Sequence, residues 1–444
     1  MSELPSSWID VAIGEIAQVI GGGTPKANDA NNFTAPGDGI AWLTPADLSG
    51  YKAKEIARGT RDLTLQGYQS SSAKLMPKGS LLFSSRAPIG YVAVAANEIA
   101  TNQGFKSFVF SDGVDPSYAF YYLKSIRQLA DSLGTGTTFK ELSGATAKTL
   151  PFRLAPTAEQ TRIAAKLDEL LAQVDTLKAR TDGIPALLKR FRQSVLAAAV
   201  SGRLTEEERD SDAPMTVCAL GDVCEFRNGF AYKSGDYKKT GIPLVRISDI
   251  DGRNASPSSD VFVEKCLYDT RFSISKGDLL IAMSGATTGK VGIYQSETLA
   301  LQNQRVGNIL VKTEGRIIPA YRNIVVFHMS GDIIKSAYGG AQPNISAKEI
   351  CSMLINLPNI EEQTEIVRRV EQLFAFADQL ETRVKAAQAR INHLTQSILA
   401  KAFRGELVPQ DPNDEPASVL LERIKAQRAA APKAKRGRRT ATPS

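Results

Sequence analysis

Two short polar runs in this 444-residue chain carry side chains suited to reading a base edge. Asn102-Gln103 and Asn303-Gln304-Arg305 each stand before an apolar run. A primary amide bonds adenine N6 and N7 together, and a guanidinium does the same for guanine O6 and N7. Such amides also satisfy buried backbone groups, and the sequence leaves both readings open. Matched Gly-rich or polar loops accompany the two runs. Gly22, Thr24 and Lys26, in the loop 21–26, face Asn228, Tyr232 and Lys233, in the loop 227–233. Ser85 and Arg86, in 84–90, face Ser284, Thr287, Thr288 and Lys290, in 284–291. Thr135 and Thr137, in 134–138, face Gln342 and Asn344, in 339–344. Small polar residues with one cation suit a phosphate or a base edge. They equally suit a plain turn between strands.

Signatures of catalysis are missing. The chain has two histidines, His328 and His393, with no second ligand at metal spacing, so zinc chemistry and histidine acid–base chemistry are disfavoured. The run Ser284-Gly285-Ala286-Thr287-Thr288-Gly289-Lys290-Val291 fails as a phosphate loop: its glycines stand too close together, and Val291 replaces the Ser or Thr. No Asp-Pro-Pro-Tyr or Asn-Pro-Pro-Phe run is present to grip a flipped adenine, and no G-x-S-x-G elbow occurs. Val263-Glu264-Lys265-Cys266 could form half of a nuclease site, but reads better as a surface strand. Four cysteines, with no C-x-x-C pair, make no disulfide framework, and a cytoplasmic protein is expected. No apolar stretch is long enough to span a membrane, and Met1–Asp10 lacks the layout of a secretory signal.

The elements that position these loops come from an internal repeat. Residues 159–204 align without a gap on 362–407, at a constant offset of 203. Glu159-Gln160-Thr161 faces Glu362-Gln363-Thr364, and the loops above fall in the segments preceding each copy. Both copies carry a heptad seam. It runs through Ile163, Leu167, Leu170, Val174, Leu177, Thr181, Ile184, Leu188, Phe191 and Val195 in the first copy. In the second it runs through Ile366, Val370, Leu373, Ala377, Leu380, Val384, Ala387, Ile391, Leu394 and Ile398. Thr157 is expected to cap the first helix with Gln160 at the box position, and Gly183 and Pro185 to kink it. Gly202 and Gly405 are expected stops. A coiled coil that only stiffens or dimerises the protein is the plain alternative. Lys189-Arg190-Phe191-Arg192 reads as a solvated helix face or a strip along a DNA backbone.

The segments between the helices are α+β in character. Short runs such as Ser80–Phe83, Tyr91–Ala95, Ser107–Phe110, Leu279–Met283, Lys290–Tyr294 and Val306–Val311 predict a mixed or antiparallel sheet. Helices are predicted over Ser117–Leu133 and Pro319–Ala337. The net charge of +7 is concentrated in the first helical segment and the C-terminal tail. It is a weak pointer to nucleic acid. The expected plan is a globular domain over 1–153, a helix over 154–205, a second domain over 206–357, a helix over 358–408 and a basic, partly disordered tail over 409–444. The two domains are similar α/β units, and the long helices pair as an antiparallel coiled coil with a pseudo-two-fold repeat. Each helix is about 60 Å long at 1.5 Å per residue. Two heads on such a spacer suit DNA half-sites about one helical turn, about 34–36 Å, apart.

The repeat and its wording resemble a family. Lys166-Leu167-Asp168-Glu169-Leu170-Leu171-Ala172-Gln173-Val174-Asp175 and Leu188-Lys189-Arg190-Phe191-Arg192-Gln193 carry the resemblance in the first copy. Ile366-Val367-Arg368-Arg369-Val370-Glu371-Gln372-Leu373-Phe374 and the run Leu394–Leu407 carry it in the second. Over essentially its whole length the chain resembles the specificity subunit of Type I restriction–modification enzymes, of the enteric type IA kind. That resemblance implies two target recognition domains, each reading half of a bipartite, asymmetric double-stranded DNA site. It implies helices that set the spacer and dock two modification subunits, with two restriction subunits completing the complex. S-adenosylmethionine would belong to the modification subunits, which methylate adenine N6, and ATP and Mg to the restriction subunits. This chain would hold no cofactor, no metal and no catalytic residue. A self-sufficient methyltransferase or nuclease, or a scaffold without DNA function, are the readings to set against it.

Overall fold

The structure, a computed structural model, describes residues 4–136, 140–208, 215–258, 260–312, 315–337 and 343–430. The chain forms two compact units, Met1–Arg180 with Ala387–Ser444 and Thr181–Ala386. Each unit holds a five-stranded mixed sheet with the same strand order. In the first unit the order is Ala17–Gly21, Lys106–Phe110, Leu81–Phe83, Val92–Ala95 and Glu55–Ile56. In the second it is Cys224–Asn228, Val306–Val311, Leu279–Ala282, Val291–Tyr294 and Asn254–Ala255. Neighbours run antiparallel except the last pair of each sheet, which is parallel. A two-stranded ribbon accompanies each sheet, Ile9–Ala12 with Pro151–Leu154 and Thr216–Ala219 with Leu354–Leu357.

The middle strand of each sheet, Leu81–Phe83 and Leu279–Ala282, is apolar at every position because both sheet faces are covered. Leu81 and Phe83 point into the core that also holds the helices, while Leu82 joins a second cluster with Ala93, Ala95 and Phe105. Leu279 and Ile281 are separated from Leu280 and Ala282 in the same alternation. Asp115 caps the helix Pro116–Ser125 by accepting from Tyr118 N at 2.9 Å, with Pro116 in the first turn, where its missing donor costs nothing. The helix expected over Ser117–Leu133 is interrupted at Ile126 and resumes as Arg127–Ser132. There the Ser125 hydroxyl takes the Tyr122 carbonyl at 2.6 Å, beside the Ile126 amide that also reaches it, and such back-bonding bends a helix. Pro319–Ala337 is unbroken.

The long helices are Thr157–Val200 and Ile360–Ala402. The first continues through Pro185. Thr157 is its first helical residue rather than its cap. The Thr157 hydroxyl instead donates to Gly113 O at 3.0 Å, and the Gln160 side chain is spent on Ala155 O and Asp115 N, both at 2.8 Å. In the first unit Ile163, Ala164 and Leu167 share a core with Leu399, Ala402 and Phe403. In the second, Val195 and Ala199 share one with Ile366 and Val370, and Arg192 pairs with Asp378 at 2.7 Å and Glu381 at 2.9 Å. Opposite ends of the two helices therefore meet inside each unit, as an antiparallel pair requires. The seam is incomplete: Leu177 and Leu394 are 45% and 42% exposed. A straight helix drifts about 20° per heptad from a strict seam, which turns such positions outward. Gly202 and Gly405 both adopt φ 76 just past the helix ends, the left-handed conformation that terminates a helix.

The repeat extends to buried hydrogen bonds. Tyr118 donates to Arg153 O at 2.7 Å, and Tyr321 to Asn356 O at 2.9 Å. The C-terminal helix Ala417–Ala430 is part of the first unit's core, with Leu420 and Ile424 buried and the Ala417 amide bonded to Ser7 O at 2.9 Å. The basic run from Lys433 to Arg439 lies outside the described residues. Among the described residues, no helix is long and apolar enough to cross a membrane.

Candidate nucleic-acid interface

In each unit four segments meet at one end of the sheet, and backbone contacts hold them. The loop after the first sheet strand lies against the Asn-Gln turn. A Cβ at Gly22 would stand 1.9 Å from the Asn102 carbonyl oxygen, and one at Gly229 would stand 2.1 Å from that of Asn303. Only glycine permits that approach. The segment after the central strand is bonded to the same turn, through Ser85 N to Gly104 O at 2.7 Å and Met283 N to Arg305 O at 3.0 Å. The segment before the closing ribbon joins next, through Leu142 N to Ser85 O at 2.8 Å and Ile345 N to Met283 O at 3.0 Å. The two units thus use the same bonds at matching positions.

Within this frame the expected side chains take different parts. Asn102 accepts the Gly104 amide at 2.9 Å, and Asn303 accepts the Gln304 amide at 2.6 Å while donating to the Tyr237 hydroxyl at 3.0 Å. Both asparagines are half-buried props of their own turns. Gln103, Gln304 and Arg305 extend from those turns into solvent. Thr24 is half-buried and its hydroxyl accepts the Gln103 amide at 3.4 Å. Lys26, Asn228, Lys233 and Lys290 are exposed. Ser85 is buried, with no partner for its hydroxyl among the described residues. Arg86 is engaged, donating to Glu141 at 3.0 Å, and Lys106 shares that carboxylate at 3.1 Å. Burial works to raise the Glu141 carboxyl, but the hydrogen bonds from Lys106 and Arg86 outweigh it and hold the group below the usual carboxylate range. Thr135 is exposed and pairs through its backbone with Glu141.

In the second unit the Thr288 hydroxyl is tied to Gly285 O at 2.6 Å, whereas the hydroxyls of Ser284 and Thr287 have no partner among the described residues. Ser284 pairs through its backbone with Asn344, which is exposed. Tyr232 is buried at 7% exposure, and burial raises its phenol. It packs edge-on against Phe230 at 5.0 Å, and Phe230 itself is 47% exposed beside the Asn303 turn. Thr137 and Gln342 lie outside the described residues. Arg192 of the basic helix run is half-buried and paired, while Lys189 and Arg190 face solvent. No group of three potential metal ligands is present among the described residues. Two features escape sequence reasoning. Phe230 shows no periodic pattern to mark its exposure, and Arg61 stacks over Phe33 at 3.8 Å from residues far away in the chain.

Comparison with known proteins gives a consistent picture. The family described as "Type I restriction modification DNA specificity domain" matches residues 5–186 and again 213–388. The Type I restriction enzyme EcoKI specificity subunit of Escherichia coli (strain K12) is 33% identical, over 96% of this chain and 97% of that protein. The EcoBI specificity subunit of Escherichia coli is 32% identical, over 96% and 93%. Among solved structures, a chain described under complex assembly and conformational transition of the type I R-M system superposes with a TM-score of 0.73, at 19% identity over 91% of this chain and 99% of that one. The HsdS subunit from Thermoanaerobacter tengcongensis superposes with a TM-score of 0.59, also at 19% identity. Both structures speak for the fold.

Proposed function

The chain belongs to the family of Type I restriction–modification DNA specificity subunits, and from that premise we propose that it selects the DNA sequence on which its partner subunits act. Recognition domains at 1–153 and 206–357 each read one half of a bipartite, asymmetric double-stranded site. The helical segments 154–205 and 358–408 set the gap and dock two modification subunits, and two restriction subunits complete a cytoplasmic complex. This chain supplies neither a catalytic residue nor a cofactor. S-adenosylmethionine acts in the modification subunits, and ATP with Mg in the restriction subunits.

The observation that carries this reading is the four-segment loop cluster built twice by matching hydrogen bonds, with different side chains presented on each copy. A fixed backbone frame with variable polar tips is what two half-site readers in one chain require. Leu177, Leu187, Phe376 and Leu394 are exposed on the long helices and suit a protein partner there. The complex with its modification subunits should enrich, from randomised duplexes, two short blocks of fixed sequence separated by a fixed gap. One contiguous block, or no enrichment, would oppose it. DNA methylation or cleavage by this chain alone would make it an enzyme instead.

A further inference from the structure

Resting on that reading, we propose that Arg61 is a base-reading residue of the first unit, its guanidinium bonding O6 and N7 of a guanine in the first half-site. Arg61 is exposed, and its Cζ lies 3.8 Å from the centre of the Phe33 ring and 5.3 Å from that of Trp42. Among the described residues it makes no hydrogen bond and no ion pair. One face of the guanidinium is spent on the aromatic surface, which leaves the donors at its planar edge for a bidentate acceptor.

The platform beneath Arg61 is firmly built. Phe33-Thr34 pairs antiparallel with Asp62-Leu63, and Trp42 is 1% exposed. Asp62, fully buried, accepts from Gly37 N at 2.9 Å and from Arg58. A Cβ at Gly59 would stand 2.6 Å from Trp42 O, and the Thr60 amide is bonded to Asp47 at 2.9 Å. An arginine fixed at both flanks and stacked on a ring has already lost much of the freedom that binding would otherwise remove.

The platform is joined to the loop cluster. Trp42 Nε1 donates to Gly23 O at 3.1 Å, Gly23 N to Thr101 O at 2.8 Å, and Gln103 N to the Thr24 hydroxyl at 3.4 Å. Arg61, Thr24 and Gln103 are therefore carried by one hydrogen-bonded framework. The second unit offers a contrast. Its Arg271 stands 5.4 Å from the Phe272 ring but is neutralised by Asp269 at 2.6 Å. A cation committed to its own carboxylate is a surface ion pair, whereas Arg61 retains its donors for a ligand.

The test uses the chain assembled with its modification subunits, with randomised DNA duplexes as the probe and Arg61→Ala and Arg61→Lys as variants. Wild type should enrich both blocks. Both variants should lose the preference for one G·C pair of one block by roughly ten- to hundredfold, the discrimination of a bidentate contact, because lysine keeps the charge but not the fork. The other block should be unchanged. The inference is overturned if every preference in both variants stays within about twofold of wild type. It is also overturned if the affected pair is A·T, or if the whole block weakens evenly, which would make Arg61 a prop. Failure of the wild-type complex to enrich two blocks would refute the proposed function itself.

Discussion

Gln160 and Gln363 are fully buried in the first turns of the long helices, and replacing them measures how strongly each helix is tied to its own domain. Gln363 accepts from Ile318 N and donates to Arg316 O and Pro358 O, all at 2.9 Å. Gln160 accepts from Asp115 N and donates to Ala155 O, both at 2.8 Å. Its third bond, to Gly113 O, is 3.4 Å long, and the Thr157 hydroxyl reaches that carbonyl as well. Leucine at 363 strands three backbone groups, and leucine at 160 strands two. A buried group left without a partner costs about 1–3 kcal/mol, and the added apolar burial offsets part of that. The expected losses are about 3–5 kcal/mol for Gln363→Leu and about 2–4 kcal/mol for Gln160→Leu. Thermal unfolding should fall by roughly 10 °C for Gln363→Leu, since a unit of this size shifts about 2–4 °C per kcal/mol. Duplex selection should show weakened second-half-site reading in Gln363→Leu and weakened first-half-site reading in Gln160→Leu. A loss below about 0.5 kcal/mol in either variant, or a larger loss at 160 than at 363, would refute the reasoning.

Further outcomes follow from named contacts. Arg305→Ala should cost about 1–3 kcal/mol at one base pair of the second half-site while assembly with the modification subunits survives, checked by methylation of single-base variants. Asp47 is held below the usual carboxylate range: burial works to raise it, but hydrogen bonds from Thr44 and Thr60 outweigh that. A carboxyl lowered in the folded state adds stability above its unfolded pKa, and that stability is lost as pH falls through the folded value. Asp47→Asn should therefore unfold more readily than wild type at neutral pH in denaturant titrations, with the gap closing below the ordinary carboxylate range. Deleting 432–444 should weaken DNA binding in a salt-dependent, sequence-blind way and leave the recognised motif intact. Deleting 409–444 removes buried Leu420 and Ile424, each contributing about 1.5–3 kcal/mol, and should unfold the first unit in circular dichroism melts.

The long helices are legible because a heptad repeated over two matching copies leaves no other period to satisfy, and Ile163, Leu167, Ile366 and Val370 are buried accordingly. The central strands are legible because a fully apolar run needs cover on both faces, which Leu81-Leu82-Phe83 receives. The loops are visible as loops, but their chemistry is not. An asparagine that caps its own turn and one that reads adenine look the same in sequence, and only the structure shows that Asn102 and Asn303 each accept an amide of their own turn. Arg86 is spoken for by Glu141, a partner 55 positions away that no local pattern announces. Thr157 and Gln160 have the wording of a capping box, yet the turn at Gly113–Asp115 packs close enough to claim both side chains. Leu177 and Leu394 fit the heptad and still face solvent.

The central claim is that one chain reads two separate half-sites with two similar units. Methylome sequencing of cells that carry this chain with its modification subunits, and otherwise lack adenine methylation, tests it most directly. One bipartite motif is predicted, with two fixed blocks, an unspecified gap of constant length, and methyladenine in each block. Methylation at a single contiguous motif, at two motifs that occur independently of each other, or without any shared sequence would contradict it.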